Sequence, residues 1–209
     1  MFPTDILLAY LVAVLIVVVA PGPDNILAVS RGLSQGTVAA ALSSIGAGLG
    51  IMVHTIAATL GLALVLQTSP IAFWIVKAAG ATYLLWLGFK AIRSRSLISF
   101  EPTARQPLGR VFLTGLLSNV LNPKPGLFVV AFIPQFVSAS RGSVSAQMLA
   151  YGAIFAVLTA IIFTVLGSFA AQLSSALARR PKLVLATNVG AGLTFVVAGL
   201  SILALDRRR

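Results

Sequence analysis

Two charges and one imidazole stand where an apolar chain should carry none. Asp24 in "APGPDN", Lys124 in "NPKPGL" and His54 in "GIMVHTIAATL" each interrupt a run otherwise apolar enough to cross a bilayer. An ionisable side chain inside lipid costs at least roughly 2.5–3.5 kcal/mol, which makes it a functional candidate by default. Both charges also sit beside paired prolines, Pro21 and Pro23 in the first motif, Pro123 and Pro125 in the second. Each proline lacks an N–H and clashes with a preceding carbonyl, so the helix must open, in the second motif near Leu121–Asn122. Irregular backbone survives in lipid only against protein or a water-filled cavity. The freed carbonyls and the N-terminus of the next half-helix therefore point inward, and such an N-terminus suits a carboxylate. That is the chemistry of holding a small zwitterion, with Asp24 facing an ammonium and Lys124 a carboxylate. The competing account is structural: a proline kink, and a salt bridge between the two charges or a snorkelling Lys124.

His54 is the only histidine. With Gly46 and Gly50 it forms an i, i+4, i+8 row, and small residues at that spacing admit another backbone. The ring can relay protons, or it can be a core histidine bonded to a carbonyl freed by a broken helix. The "GAGLG" stretch is no nucleotide loop, because no strand precedes it. Lys77 lies six residues into its segment and can snorkel; Trp74, Tyr83 and Trp86 suit an interface or packing role.

The rest of the chain limits the alternatives. Of 209 residues, 58% are hydrophobic and 9% charged, and mean hydropathy is +1.02. Ordinary soluble domains carry about 25% charged residues, so lipid is the solvent. With no cysteine, one histidine and four acidic residues, neither a disulfide framework nor a metal cage is expected, and no cofactor is implied. The net charge of +11 sits at the ends of apolar runs and forms no basic face of the kind nucleic acid requires. The N-terminus lacks the basic start of a cleaved leader, so the first helix is read as retained.

Six segments are long enough to span: Ile6–Val29, Val38–Leu66, Ile71–Ile92, Val111–Val137, Ala146–Ala171 and Leu183–Leu205. The polar loop 93–110 divides a first three-helix unit, 1–92, from a second, 111–209. Each unit opens with a Pro-x-Pro break, followed by a Ser-Arg-Gly turn at Ser30-Arg31-Gly32 and Ser140-Arg141-Gly142. Three is odd, so the second unit must cross in the opposite sense. The fold expected is an all-α integral membrane protein of two inverted three-helix repeats, with helices 1 and 4 broken. Lys and Arg flanking the helices number nine on the side of loops 1–2, 3–4 and 5–6, against four on the other. The positive-inside rule then puts both termini outside, against the tendency of the terminal "DRRR".

"APGPDNILAVSRGLSQGTVAA", "GAGLGIMVHTIAATLGLALVL", "AAGATYLLWLGFKAI" and "GLLSNVLNPKPGLFVVAFIPQFV" resemble, in order and spacing, the lysine-exporter/homoserine–threonine-exporter (LysE/RhtB) family of translocators. The resemblance runs over essentially the whole chain. It implies a multi-pass protein of the bacterial inner membrane that exports amino acids on the proton or ion gradient, assembled as a homo-oligomer, a homodimer at its simplest. By position it carries the substrate-binding role to Pro21, Gly22, Pro23, Asp24, Asn122, Pro123 and Lys124, with Asn25 beside them, and the coupling role to His54. Where the family's second signature continues with alanine, this chain has Pro125. The reading is thus a secondary transporter exporting an amino acid or related zwitterion. Its rivals are a membrane-embedded enzyme or lipid-handling protein, which lacks a nucleophile here, and a channel, which the paired charges disfavour.

Overall fold

The computed structural model describes residues 3–20, 22–68 and 103–170, with single positions between 74 and 93 and between 172 and 200. The expected third and sixth segments, Ile71–Ile92 and Leu183–Leu205, are described only at such single positions. Pro21, Lys77, Tyr83 and the tail Arg207–Arg209 lie outside the described residues. Within the described residues, all regular structure is helical. Helix α1 spans Thr4–Val19, α2 Pro23–Gln35, α3 Thr37–Thr68, α4 Leu108–Leu121 and α5 Pro123–Ala131. Short 3₁₀ turns at Ile133–Phe136 and Ala139–Arg141 lead into α6, Val144–Ser168.

Two of these helices are long and apolar enough to cross a bilayer unbroken, α3 over Thr37–Gly61 and α6 over its whole length. Two more candidate spans are bent. Between α1 and α2 the axis turns by 60°, and between α4 and the segment Pro123–Phe136 by 53°. Counted as one span each, the bent pairs bring the described crossings to four. Both bends fall at the proline motifs, as the missing donors require. One expected correspondence fails: Ser30-Arg31-Gly32 is not a turn but lies inside α2. That helix ends at Gly36, whose φ of +81° only glycine adopts readily. Ser140-Arg141, by contrast, does form a 3₁₀ turn, closed by Gly142 at φ +108°.

The distribution of side chains is that of a protein dissolved in lipid. Leu8, Val12, Leu15 and Val19 line an exposed stripe on α1, and Val157, Ile161 and Val165 do so on α6. The buried interior holds Asp24, Asn25, Arg31, Ser44, Asn119, Asn122 and Gln147 alongside its apolar core. At one end, Tyr10 donates to the Tyr151 carbonyl at 2.6 Å, within a group of rings that includes Phe136 and, through it, Phe132. This group ties α1 to α6.

Helix α3 is the axle, packed against α2, α4, α5 and α6. Small residues permit its close approach to α4. A methyl group on Gly46 would overlap the Phe112 carbonyl and stand 2.8 Å from the Leu116 nitrogen. On Gly50 it would lie 2.7 Å from the Asn119 side chain. In lipid, helices gain little from burying apolar area, so this contact between backbones is itself the adhesive. Gly46→Ala should therefore lower thermal stability in detergent by about 1–3 kcal/mol, the usual cost of overpacking. Gly61→Ala, on the same helix with nothing within 4 Å of the added methyl, should be neutral or stabilising by up to about 1 kcal/mol. Equal effects at the two positions would show that close packing is not what Gly46 supplies.

Candidate functional site

The first break leaves the Ala20 carbonyl without a helical partner, because the chain turns away before Asp24 can donate to it. Two side chains take its place. Asn25 donates to it through Nδ2 at 3.1 Å, and Lys124 through Nζ at 2.7 Å. Asn25 also accepts from the Gly22 amide at 2.8 Å, so both ends of its side chain staple the break on which it sits. Lys124 reaches across from the second break. It passes close to Gly22, where a methyl group would stand 3.3 Å from Nζ.

The second break is answered in the same way from the other half. In a continuous helix the Asn119 carbonyl would accept from residue 123, which is a proline without a donor. Instead it accepts from the Asn122 amide at 3.0 Å and from His54 Nε2 at 3.1 Å. A carbonyl can only accept, so Nε2 carries the proton. The ring edge at Cε1 and Nδ1 lies beside Gly126, where a methyl group would come within 3.0 Å of both atoms.

Asp24 is held by three donors. Ser118 Oγ reaches Oδ1 at 2.8 Å, and Asn119 Nδ2 and Asn122 Nδ2 reach Oδ2 at 2.7 and 2.9 Å. The bond from Asn119 fixes which end of its amide faces the carboxylate, since only the NH₂ can donate. The other end of the Asn122 amide is used too, its Oδ1 capping α5 by accepting from the Lys124 amide at 3.0 Å.

The structure thus brings Gly22, Asp24, Asn25, Asn122 and Lys124 to one cavity, lined also by Val17, Val18, Ile51, Phe155 and Phe163. Its volume is about 20 Å³, room for about one water-sized group. Pro125 lines it; Pro123, the N1 residue of α5, does not. Gly46 lies away from it, and Gly50 and His54 touch it only through Asn119.

The two helix N-termini differ. In α5, Pro123 and Pro125 have no N–H and the Lys124 amide is capped by Asn122, so Gly126 is the first residue there whose amide is not spent on a cap. In α2, Gly22 and Pro23 offer nothing, but the amides of Asp24 and Asn25 have no acceptor among the described residues.

Sequence reasoning missed Ser118, Asn119 and Thr159. Two of them had a signal: Ser118, Asn119 and Asn122 make a polar face on the helix turn before Pro123. Arg31, counted as a loop charge, is instead 3% exposed. It donates to the Ala104 carbonyl and Gln106 Oε1, both at 2.9 Å, strapping α2 to the segment before α4. Gln35 and Gln106 exchange two further bonds there.

This geometry predicts a coupling. His54→Ala removes one partner of the Asn119 carbonyl and should cost about 1 kcal/mol of stability. Pro123→Ala supplies a new N–H for the same carbonyl. The double variant should then lose less than the sum of the single losses, by at least about 0.5 kcal/mol in thermal or denaturant unfolding. Strict additivity would mean that His54 does not serve that carbonyl.

Residues 15–205 match the family model described as LysE type translocator. The chain is 32% identical to a homoserine/homoserine lactone efflux protein of Salmonella typhi over 192 residues, 91% of this chain and 92% of the relative. It is 29% identical to a leucine efflux protein of an Enterobacter species over 189 residues, 90% of each. An uncharacterized membrane protein of Vibrio cholerae is 31% identical over 194 residues, 92% of this chain and 94% of the relative. No solved structure matches. A multi-pass helical membrane protein with a small cavity between two broken helices, lined by both charged and apolar side chains, fits that relationship. The protein is a transporter rather than an enzyme, and the chain belongs to the LysE type translocator family.

Proposed function

We propose that this protein exports an amino acid or closely related small zwitterion, held between the two broken helices. The observation that carries the proposal is the exchange of charged side chains between the breaks: Lys124 donates to the Ala20 carbonyl, and Asp24 accepts from Asn119 and Asn122. A substrate carboxylate entering the site takes Lys124 from that carbonyl and meets the N-terminus of α2. The ammonium goes to Asp24. Efflux of amino acids by the relatives from Salmonella and Enterobacter supports this substrate class and this direction.

The finer reading has the two halves as inverted repeats rocking about α3 in the bacterial inner membrane, with export driven by protons through His54. Its Nε2 is committed to the backbone of the second break, so Nδ1 is the atom that gains and loses a proton. Protonation there would place a cation beside Gly126 and alter the break that Lys124 follows. Assembly as a homodimer belongs to the same reading.

Counterflow of labelled amino acids in proteoliposomes tests the transport step: a carrier exchanges its substrate, whereas a channel only leaks. Asp24→Asn should weaken substrates bearing an ammonium roughly tenfold or more, and deaminated analogues less. Lys124→Gln should do the reverse, sparing amines that lack a carboxylate. A structural salt bridge predicts instead that Asp24→Lys with Lys124→Asp restores both membrane level and transport with unchanged selectivity. For coupling, His54→Gln should abolish accumulation against a gradient while downhill exchange persists. Unaltered active export in that variant would leave His54 as a backbone ligand alone.

A further inference from the structure

Six helical serines and threonines of this protein satisfy their hydroxyls in the same way. Ser44 donates to the Ala40 carbonyl at 2.7 Å, Thr55 to Ile51 at 2.8 Å and Thr59 to Thr55 at 2.7 Å. Thr114, Thr164 and Ser168 likewise donate to the carbonyl four residues earlier, each at 2.7 Å. Such back-bonding is the default of a hydroxyl on a helix in an apolar setting, because it needs no partner from elsewhere. Thr159 departs from it. It is 2% exposed, its Oγ1 has no hydrogen-bond partner among the described residues, and it lines the cavity that holds Asp24 and Lys124. A second buried oxygen without a partner, Asn119 Oδ1, belongs to a residue lining the same cavity.

A buried oxygen without a donor costs about 1–3 kcal/mol. Asn119 Oδ1 can only accept, and the Thr159 hydroxyl can accept as well as donate; neither is a carboxylate. Asp24 itself has about four lone-pair positions. Three are filled by Ser118, Asn119 and Asn122, which leaves one, on Oδ1. A primary ammonium brings three N–H donors, is about the size of a water molecule, and so matches the room available. One N–H can go to Asp24; the others need acceptors that Asp24 can no longer offer.

We propose that Thr159 is a ligand of the substrate's ammonium, completing with Asn119 Oδ1 the acceptor set that Asp24 begins, and that the protein thereby selects primary amines. This rests on the zwitterion reading above and adds the class of nitrogen. Phe155 and Phe163, one turn to either side of Thr159 on α6, close the cavity with apolar walls. An N-methyl group would occupy the same space without the donor that Thr159 lacks.

The test is competition against counterflow of labelled L-leucine and of labelled L-homoserine in proteoliposomes. The competitors are each unlabelled amino acid and its N,N-dimethyl derivative, which keeps the charge but has a single N–H. Wild type should prefer the primary amine by roughly tenfold or more, the discrimination expected when donors to buried acceptors are lost. Thr159→Val keeps the shape and removes the acceptor. It should weaken the primary amine by about tenfold and leave the dimethyl derivative unchanged, while Thr159→Ser restores the preference. Thermal unfolding of the purified variants keeps the reading independent of folding, since valine at this site should be neutral or stabilising. If Thr159→Val weakens both competitors equally, or neither, Thr159 is a packing residue and this proposal fails while the zwitterion reading stands. If wild type exchanges neither L-homoserine nor any proteinogenic amino acid, the transport reading fails and this proposal falls with it.

Discussion

Everything in this structure answers to one constraint: backbone opened inside lipid must be satisfied by something. Two helices are opened by prolines, and in each case the partner comes from the other half of the chain. Lys124 serves the carbonyl of Ala20. His54 serves that of Asn119, and Asp24 gathers the side chains that flank the second break. Neither break is complete alone. A lone charge at this depth would be costly, and a lone orphaned carbonyl also; crossed over, each reduces the cost of the other. The arrangement also limits how the halves can move. Separation of the halves would take Lys124 from one carbonyl, His54 from the other and Asp24 from its donors at once.

The remaining packing serves this exchange. Glycines keep α3 close enough to α4 for an imidazole and an asparagine to meet, and a bulkier seam would hold His54 away from the carbonyl it serves. Glycine plays a similar part between α2 and α6, where a methyl on Gly167 would lie 2.7 Å from the Ala28 carbonyl. At the ends, attachment is by side chains. Arg31, Gln35 and Gln106 bind α2 to the segment before α4, and the rings around Tyr10 and Tyr151 bind α1 to α6. The middle of the molecule is held by interactions that a ligand can replace, its ends by interactions that a small zwitterion cannot.

The sequence made the breaks and their charges legible because proline has one physical consequence wherever it stands, and a charge in an apolar run has few. It made the α3 glycine row legible by spacing. It could not show that Asn25 spends its amide on its own break, since that depends on how far the chain turns after Ala20. Nor could it place Arg31, which flanks an apolar run as a loop charge would yet is buried by a segment seventy-odd residues away. Thr159 was silent for a different reason. A threonine in an apolar helix normally bonds to its own backbone, and only coordinates reveal one that does not. The resemblance of Ser30-Arg31-Gly32 to Ser140-Arg141-Gly142 misled: one lies within a helix and the other in a turn.

That failed symmetry has a counterpart at the breaks themselves. Inverted repeats suggest two equivalent helix N-termini facing the substrate, but a helix end attracts anions only through amides it has not already used. In α5 the first turn is Pro123, Lys124 and Pro125, and its single amide belongs to Asn122. An alanine at position 125, as in the family pattern that the sequence resembles, would have left one amide open; Pro125 removes it. In α2 the amides of Asp24 and Asn25 have no acceptor among the described residues, and Lys124 crosses over to that end of the helix. The partial charge of the helix and the full charge of the lysine therefore add at the first break instead of being divided between two. At the second break the donors are side chains, Ser118, Asn119 and Asn122, and all three are spent on Asp24, so the two breaks differ in a way that the repeat alone does not give.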